Sequence, residues 1–328
     1  MKRKRRNKSP NIIPSLNLLS RISGEMVLDN GEDSCGYCFN ENGGMLIALD
    51  GCGGLGAKRY EQYNLKTGAY IASKATCSIL EQWFNDFSLR AGRIDESTIQ
   101  QVNAELTQFI KSNLGRYRQE ESGGLKTKSD MIREFPTTAS IVLFDEMESH
   151  INTAFFWAGD SRGYILSSDG LAQITSDDLA GHPDAFENLV TDARLKNVLS
   201  ADGKFHLNQK FLCLQKPFIA LSATDGCFGY LKTPMNFEYM LLDTLIEANS
   251  PLEWEAKLDE AMSKVAGDDY SLVMAVFGYE DFEDVKRSFV ARRDFLYRQY
   301  ITMLANANPE EKQRMWESYK KDYGRWLD

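Results

Sequence analysis

The sequence predicts an α+β protein: two antiparallel β-sheets packed face to face, a pair of helices on the outer side of each, and a helical extension at the C-terminus. Three observations carry that reading. Strand-like and helix-like stretches come in blocks (strands, two helices, strands, two helices, one strand), which is not the single alternation of a βαβ fold. Hydrophobic residues make up 43% of the 328, enough for a sizeable core. Two apolar runs, Met45 to Leu49 and Phe218 to Ala223, end in Asp-Gly turns, and a third begins after Asp268-Asp269. Short apolar runs bounded in this way read as buried strands.

Residues 1–17 read as a basic, disordered tail, with Lys2, Arg3, Lys4, Arg5, Arg6 and Lys8. From 18 to 40, alternating stretches suggest strands around the polar turn Asp29 to Ser34. The central strand follows at 45–49. Between 65 and 90, Ala69, Ala72, Ala75, Ile79, Leu80 and Phe84 recur at helical spacing. A second helix runs from Glu96 to Tyr117, with Asp95 as its N-cap. The polar stretch 119–135, containing Gly123-Gly124, reads as a loop. Strands are expected at 137–144, 153–158 and 164–167, followed by the turn Ser168-Asp169-Gly170. Residues 179–198 are polar and read as partly helical. A strand at 218–223, helices at 236–248 and 252–265, and a strand at 270–277 complete a domain spanning 18–279.

Residues 280–328 differ in character and read as a helical hairpin. Phe282, Val285, Phe289, Leu296, Tyr300 and Leu304 have helical spacing. Asn308-Pro309-Glu310-Glu311 is a helix start, with Asn as N-cap, Pro at the first position and Glu at the third. Trp316, Tyr319, Tyr323 and Trp326 mark the second helix. These aromatics either pack on the domain or form an exposed face for a partner or a second copy.

The chemistry is concentrated at the strand ends. Asp50 closes one apolar run and is followed by Gly51, Gly53 and Gly54. A carboxylate fixed by a sheet beside bare backbone can meet a hard cation and its waters. Asp225 closes a second run, and Asp268 and Asp269 precede a third. If the last strand lies antiparallel beside the other two, all three acids meet at one edge. Like charges held together raise each other's pKa, so such an edge calls for a cation. Oxygen donors select Mg²⁺ or Mn²⁺.

Composition excludes several classes. The net charge is −9, and the first eight residues carry six positive charges, leaving −15 on the rest. That argues against DNA or other nucleic acid as the main partner of the folded part. No apolar run approaches the length of a membrane span. The segment after the basic tail is broken by Pro14, Ser15 and Asn17 and lacks the apolar core of a signal peptide, so the expected location is the cytoplasm. The six cysteines include one C-x-x-C, Cys35 and Cys38. On a strand such positions face opposite sides, so the reading is reduced, mostly buried thiols and not a zinc site. None of the three histidines, His150, His182 and His206, sits in a nucleophile-elbow context.

The order of motifs resembles the metal-dependent serine/threonine phosphatases of the protein phosphatase 2C type, over about residues 20 to 279. Asp50-Gly51-Cys52-Gly53-Gly54 is similar to that family's Asp-Gly-His-Gly-Gly. Glu32-Asp33 is similar to its Asn-Glu-Asp acids, with Gly31 in the Asn position. Thr137-Thr138 matches its Gly-Thr-Thr, with Pro136 for Gly. Gly159-Asp160-Ser161-Arg162 matches its Gly-Asp-Ser-Arg. Thr175-Ser176-Asp177-Asp178, Thr224-Asp225-Gly226 and Asp268-Asp269-Tyr270-Ser271 are similar to its remaining motifs. No one of these is specific; their shared order is.

The resemblance implies hydrolysis of phosphoserine and phosphothreonine in proteins by a water activated between two ions, Mn²⁺ or Mg²⁺, with a possible third. It implies that Asp50 bridges the two ions, that the Gly51 carbonyl binds one, and that Asp225 and Asp268 hold the first. Glu32 would reach the second through water with Asp33 beside it, and Asp160 would sit near a third, weaker ion. Two departures stand out. Leu28 occupies the position of an Arg that binds substrate phosphate, and Cys52 that of a His proposed to protonate the leaving group. Lys58 and Arg59 are candidates to replace the missing cation. The departures keep two alternatives open: a pseudophosphatase or phosphoprotein-binding regulator, and a metal-stabilised structural domain acting through the C-terminal hairpin.

Overall fold

The computed structural model describes residues 13–90, 92–119, 134–189, 191, 193–304 and 306–327. Strands β1 (Leu16–Gly24), β2 (Asp33–Phe39) and β3 (Gly43–Asp50) come first, then the small hairpin β4 (Arg59–Tyr60) and β5 (Lys66–Thr67) and the helices α1 (Gly68–Leu89) and α2 (Ile99–Gln119). Next are β6 (Ala139–Glu146), β7 (His150–Ala158), β8 (Arg162–Ser167), β9 (Gly170–Gln173), β10 (Asn208–Gln215) and β11 (Phe218–Ala223). The helices α3 (Pro234–Glu247) and α4 (Pro251–Ser263) lead into β12 (Tyr270–Phe277). The chain closes with α5 (Phe282–Leu296), a π-helical turn Tyr297–Ile301, α6 (Thr302–Leu304) and α7 (Pro309–Tyr323).

Two five-stranded sheets result, ordered β1-β12-β11-β8-β9 and β10-β7-β6-β3-β2. Period-2 burial explains how one strand serves two cores. In β3, Met45, Ile47 and Leu49 face α1 and α2, while Leu46 faces the other sheet. In β12, Leu272, Met274 and Val276 face α3 and α4, while Val273, Ala275 and Phe277 face inward. Both faces being covered, these strands read as unbroken apolar runs. Helix starts follow their caps: Thr67 accepts from the Tyr70 amide, Ser250 from Glu253 and Asp281 from Asp284. The expected capping box at Asn308 and Glu311 is present.

Several expectations change. Asp50 and the acids of β11 and β12 do not lie in one sheet; β3 belongs to the second sheet, and the acids meet because the sheets are stacked. Asp33 is the first residue of β2 and not part of the preceding turn. Among the described residues of 179–198, which were expected to be partly helical, the helical part is one short 3₁₀ turn, Glu187–Leu189. Strand β10 was not expected; it lies at a sheet edge and is mostly half-buried, so its sequence lacks a continuous apolar run. Ile13 is buried in the inter-sheet core and β1 starts at Leu16, so order begins before residue 18. The rest of the basic tail, and most of the expected 119–135 loop, lie outside the described residues.

The C-terminal helices cover the outer face of the first sheet. Trp316, Tyr319 and Tyr323 are buried with Leu241, Leu245 and Phe289, so an exposed aromatic face on α7 is corrected: its aromatic stripe is core. Glu238 on α3 is fully buried and takes two bonds from Arg292 of α5, at 2.7 and 3.0 Å, and one from the Tyr319 hydroxyl of α7, at 2.6 Å. Cys35 packs toward the inter-sheet core and Cys38 toward α1, on opposite faces of β2, and all six cysteines are free thiols. Among the described residues no helix is long and apolar enough to cross a membrane.

Candidate active site

The acids gather at one edge where the two sheets end together. Asp33 and Asp50 are direct cross-strand partners at the end of the β2–β3 pair, and like charges in such a pair repel. From the other sheet, β11 runs into Thr224 and Asp225, and β12 starts just after Asp268 and Asp269. The Thr224 hydroxyl donates to Asp33 Oδ2 at 2.7 Å and accepts from the Ser271 amide at 2.9 Å. One side chain thus joins the sheets at the site. Asp160 lies in the turn between β7 and β8.

Local backbone geometry fixes each acid. The Thr137 hydroxyl and the Thr138 amide both donate to the Asp50 carbonyl, at 2.8 and 2.7 Å. The Gly51 amide donates to the Glu32 carbonyl at 3.1 Å. A Cβ on Gly51 would come within 2.5 Å of the Ala69 carbonyl oxygen, and one on Gly226 within 1.9 Å of the Asp269 carbonyl oxygen. Both turns therefore require glycine.

Crowding shows in the titration of the acids. Burial first, then Asp225, Asp33, Asp160 and Asp268, push Asp50 well above the ordinary carboxylate range. Burial pushes Asp33 up to about 8, opposed by the Thr224 bond and reinforced by Asp225 and Asp269. Asp225 is pushed up to about 6 by burial and Asp268. Asp160 is raised by burial, Asp225 and Asp177, and Asp268 by burial above all. Burial also raises Glu32, against a bond from the Thr67 hydroxyl and the nearby Arg59.

These residues suit a hard divalent cation. Their donors are all oxygens, and Asp160 Oδ1 is buried without a hydrogen-bond partner, which is costly unless a cation or water meets it. Among the described residues no group of three or more His, Cys, Asp or Glu is close enough, as the side chains stand, to enclose an ion. Hard cations complete their shells with water and backbone carbonyls, so the acids need not enclose an ion unaided. The acids do share one edge: Asp225, Asp33, Asp160 and Asp268 all act on the charge of Asp50.

Several supporting contacts escaped the sequence reading. The Asp269 carboxylate accepts from the Met26 and Glu32 amides, both at 2.7 Å, and so holds the loop that carries Glu32. Asp178 accepts from the Gly159 amide and from Asn197 and Asn208. Exposed Tyr230 stands close enough to Asp268, Asp225 and Asp50 for their charges to raise its phenol, after burial. Long-range pairings such as these leave no local pattern; Asp178 and Asp269 were visible only as acids of their motifs, not by the bonds they make.

The departures have clear positions. Leu28 is 81% exposed, on a turn that Lys66 braces through the Asp29 carbonyl and Asn30 Oδ1. Of the candidate cations, Arg59 donates to the Leu65 carbonyl at 2.9 Å and its charge reaches Glu32. Lys58 lies over the Tyr60 ring. Lys74 donates to the Asp33 carbonyl. Cys52 is buried, and burial followed by Asp50, Asp160 and Asp225 drives its thiol far up, so it keeps its proton. Arg162 is buried in a two-pronged pair with Asp177 and lies 4.2 Å from the Phe228 ring.

The family model for protein phosphatase 2C matches residues 28–263. Among solved structures, the serine/threonine phosphatase Stp1 from Staphylococcus aureus is 17% identical, with a TM-score of 0.59 over 83% of this chain and 99% of that one. The Mycobacterium tuberculosis serine/threonine phosphatase PstP is 16% identical, with a TM-score of 0.56 over 80% of this chain and 100% of that one. The PstP catalytic domain in complex with 2 manganese ions is 16% identical, with a TM-score of 0.52 over 80% and 98%. No curated protein sequence matches the chain significantly.

Proposed function

The chain belongs to the protein phosphatase 2C family, and from that premise we propose that it hydrolyses phosphoserine and phosphothreonine in proteins at the acid edge between the two sheets, with two divalent ions as cofactors. The observation that supports this most is the set of acids acting on Asp50. Asp33, Asp160, Asp225 and Asp268 all raise it, an arrangement that costs the metal-free fold stability and that bound cations would relieve.

In this reading Asp50 and the Gly51 carbonyl would help to hold the two ions. Asp225, Asp268, Glu32 and Asp160 would supply the remaining carboxylate oxygens. When bound, such ions supply a water acidic enough to attack phosphorus at neutral pH and offset the charge of the phosphoryl group. The chain's own residues do the positioning. Asp269 fixes the Glu32 loop, the Thr137-Thr138 pair fixes the Asp50 turn, and Thr224 ties Asp33 to the opposite sheet. Arg59 is the cation we assign to substrate phosphate, since its charge already reaches Glu32. Cys52 keeps its proton and is assigned no acid role; the leaving oxygen takes its proton from solvent. The acids and the residues that fix them lie within 18–279 in this reading, supported by the C-terminal helices packed on the first sheet, and the six free thiols suit the cytoplasm.

The test is hydrolysis of phosphoserine and phosphothreonine peptides and of an aryl phosphate, with Mn²⁺, with Mg²⁺ and with chelator. Metal-dependent turnover is expected. Turnover that survives chelation would overturn the reading, and tight phosphopeptide binding without turnover would establish the pseudophosphatase instead.

A further inference from the structure

Asp160 cannot aim itself. One of its carboxylate oxygens is buried without a hydrogen-bond partner, so its direction depends on the backbone turn that carries it. That turn is held from outside by the segment between β9 and β10. Asp177 takes the Arg162 guanidinium at 2.9 and 2.6 Å, and Asp178 takes the Gly159 amide at 3.1 Å. These two contacts bracket Asp160.

The segment beyond Asp178 has little regular structure of its own. Its internal ties include Asn188 to Asp177 at 3.0 Å and Asn197 to Asp178 at 2.7 Å. Asn197 ties it to His206 and Ala185 reaches the core; its polar anchor on α7 is Asp184. The Trp316 indole donates to Asp184 Oδ2 at 2.9 Å and the Lys320 ammonium donates to the same oxygen at 2.8 Å, both from α7. Phe186 packs on the Trp316 ring with centroids 6.2 Å apart. One helix turn further, the Tyr323 hydroxyl is 3.4 Å from that of Tyr164, beside the Arg162–Asp177 pair.

We propose that α7 is a positioning element for the phosphatase site: through Trp316 and Lys320 it holds Asp184, and with it the 179–198 segment that keeps the Asp160 turn in place. The proposal rests on the site assignment above in one respect, that Asp160 is among the metal-binding acids. An ion pair as exposed as Asp184–Lys320 adds little to global stability. A segment with few buried apolar contacts of its own, however, opens locally at small cost. Loosening it therefore acts on Asp160 well before it acts on the fold.

The experiment uses the full-length chain with Trp316→Phe and Lys320→Met together, which remove both donors, with Trp316→Phe alone to measure the cost of the smaller ring in the core, and with Lys320→Arg as the conservative control. Hydrogen exchange on the metal-free protein should quicken about tenfold or more in 179–198 and leave β6 and β7 unchanged, as a local opening does. The double variant should melt within about 3 °C of Trp316→Phe alone. Titration calorimetry with Mn²⁺ alone should show the weakest binding event loosened about tenfold, on the scale of one lost ligand contact. Lys320→Arg should behave as wild type in both. Unchanged exchange in 179–198, equal quickening in the sheets, or faster exchange with unaltered Mn²⁺ binding would each overturn the proposal. Neither readout uses turnover, so a failure of the phosphatase assay is told apart from a failure here.

Discussion

Raising the pH of the metal-free protein should destabilise it across a range in which many proteins are at their most stable. Burial and neighbouring acids hold Asp33 at about 8 and Asp225 at about 6, against about 3.9 in an unfolded chain. A carboxyl raised by folding keeps its proton in the folded state after the unfolded state has lost it. Stability is then unaffected below pH 4 and falls as pH climbs, to about 6 for Asp225 and about 8 for Asp33. Each retained proton gives a slope of about −1.4 kcal/mol per pH unit. Over its whole window Asp33, only 7% exposed, accounts for on the order of 5 kcal/mol. Asp50 and Asp160 move the same way. Ions at this edge favour the charged forms, so saturating Mn²⁺ should flatten the slope and release about one proton or more per chain at pH 7. The assay is denaturant unfolding at pH 5, 6, 7 and 8 with chelator and with Mn²⁺, joined to calorimetry in two buffers of different ionisation enthalpy. Metal-free stability that rises from pH 5 to 8, or Mn²⁺ binding without proton release, would refute the reasoning.

Asp50→Asn and Asp225→Asn should each lower peptide turnover about 100-fold or more, by analogy with other preorganised electrostatic groups, while raising the melting temperature of the metal-free protein; a mutant above a tenth of wild-type turnover would misplace the site. Leu28→Arg should lower the Michaelis constant for aryl phosphates about tenfold, since a guanidinium can bind phosphate in two-pronged fashion, with turnover changed less; the exposed loop should accept it without loss of fold, and unchanged kinetics would mean another cation holds the phosphate. Arg292→Ala leaves Glu238 buried without its ion-pair partner and should cost about 3–5 kcal/mol in denaturant unfolding, whereas a cost below about 1 kcal/mol, the range of exposed pairs, would mean that the pair is open to solvent. Ending the chain after Tyr279 should abolish cooperative unfolding, because it strips Trp316, Tyr319 and Tyr323 from the core around α3.

What the sequence showed was whatever local chemistry dictates. The apolar runs of β3, β11 and β12 carry their own boundaries, in the Asp-Gly turns after Leu49 and Ala223 and the paired acids before Tyr270, so both the strands and the acids at their ends were legible. The Asn308 cap was legible for the same reason. Contacts made at a distance were not. The Asp33–Asp50 pairing needs the strand register, the Asp269 bonds to the Met26 and Glu32 amides span more than 230 residues, and the sheet to which β3 belongs depends on topology. Strand β10 was missed because an edge strand needs one apolar face at most. The 179–198 segment was misread because polar residues in it, among them Asp184 and Asn197, bond to other parts of the chain and not along a helix.

The division of the acids between the sheets has a mechanical consequence. Asp33 and Asp50 come from one sheet, and Asp225 and Asp268 flank strands of the other. Their separation is thus the separation of two stacked sheets, set by the residues between them: Phe155 and Val142 from one, Phe218, Val273 and Phe277 from the other. Close-packed side chains resist sliding because any shift opens voids or forces clashes. The Thr224–Asp33 bond closes the same gap at the site itself. A single sheet could place acids side by side, but its strand spacing of about 4.8 Å would be the one available interval. Two sheets add the third dimension that a cluster of oxygen donors needs. Their outer helices, α1 and α2 on one side and α3, α5 and α7 on the other, hold the sandwich closed against the repulsion of the acids it brings together.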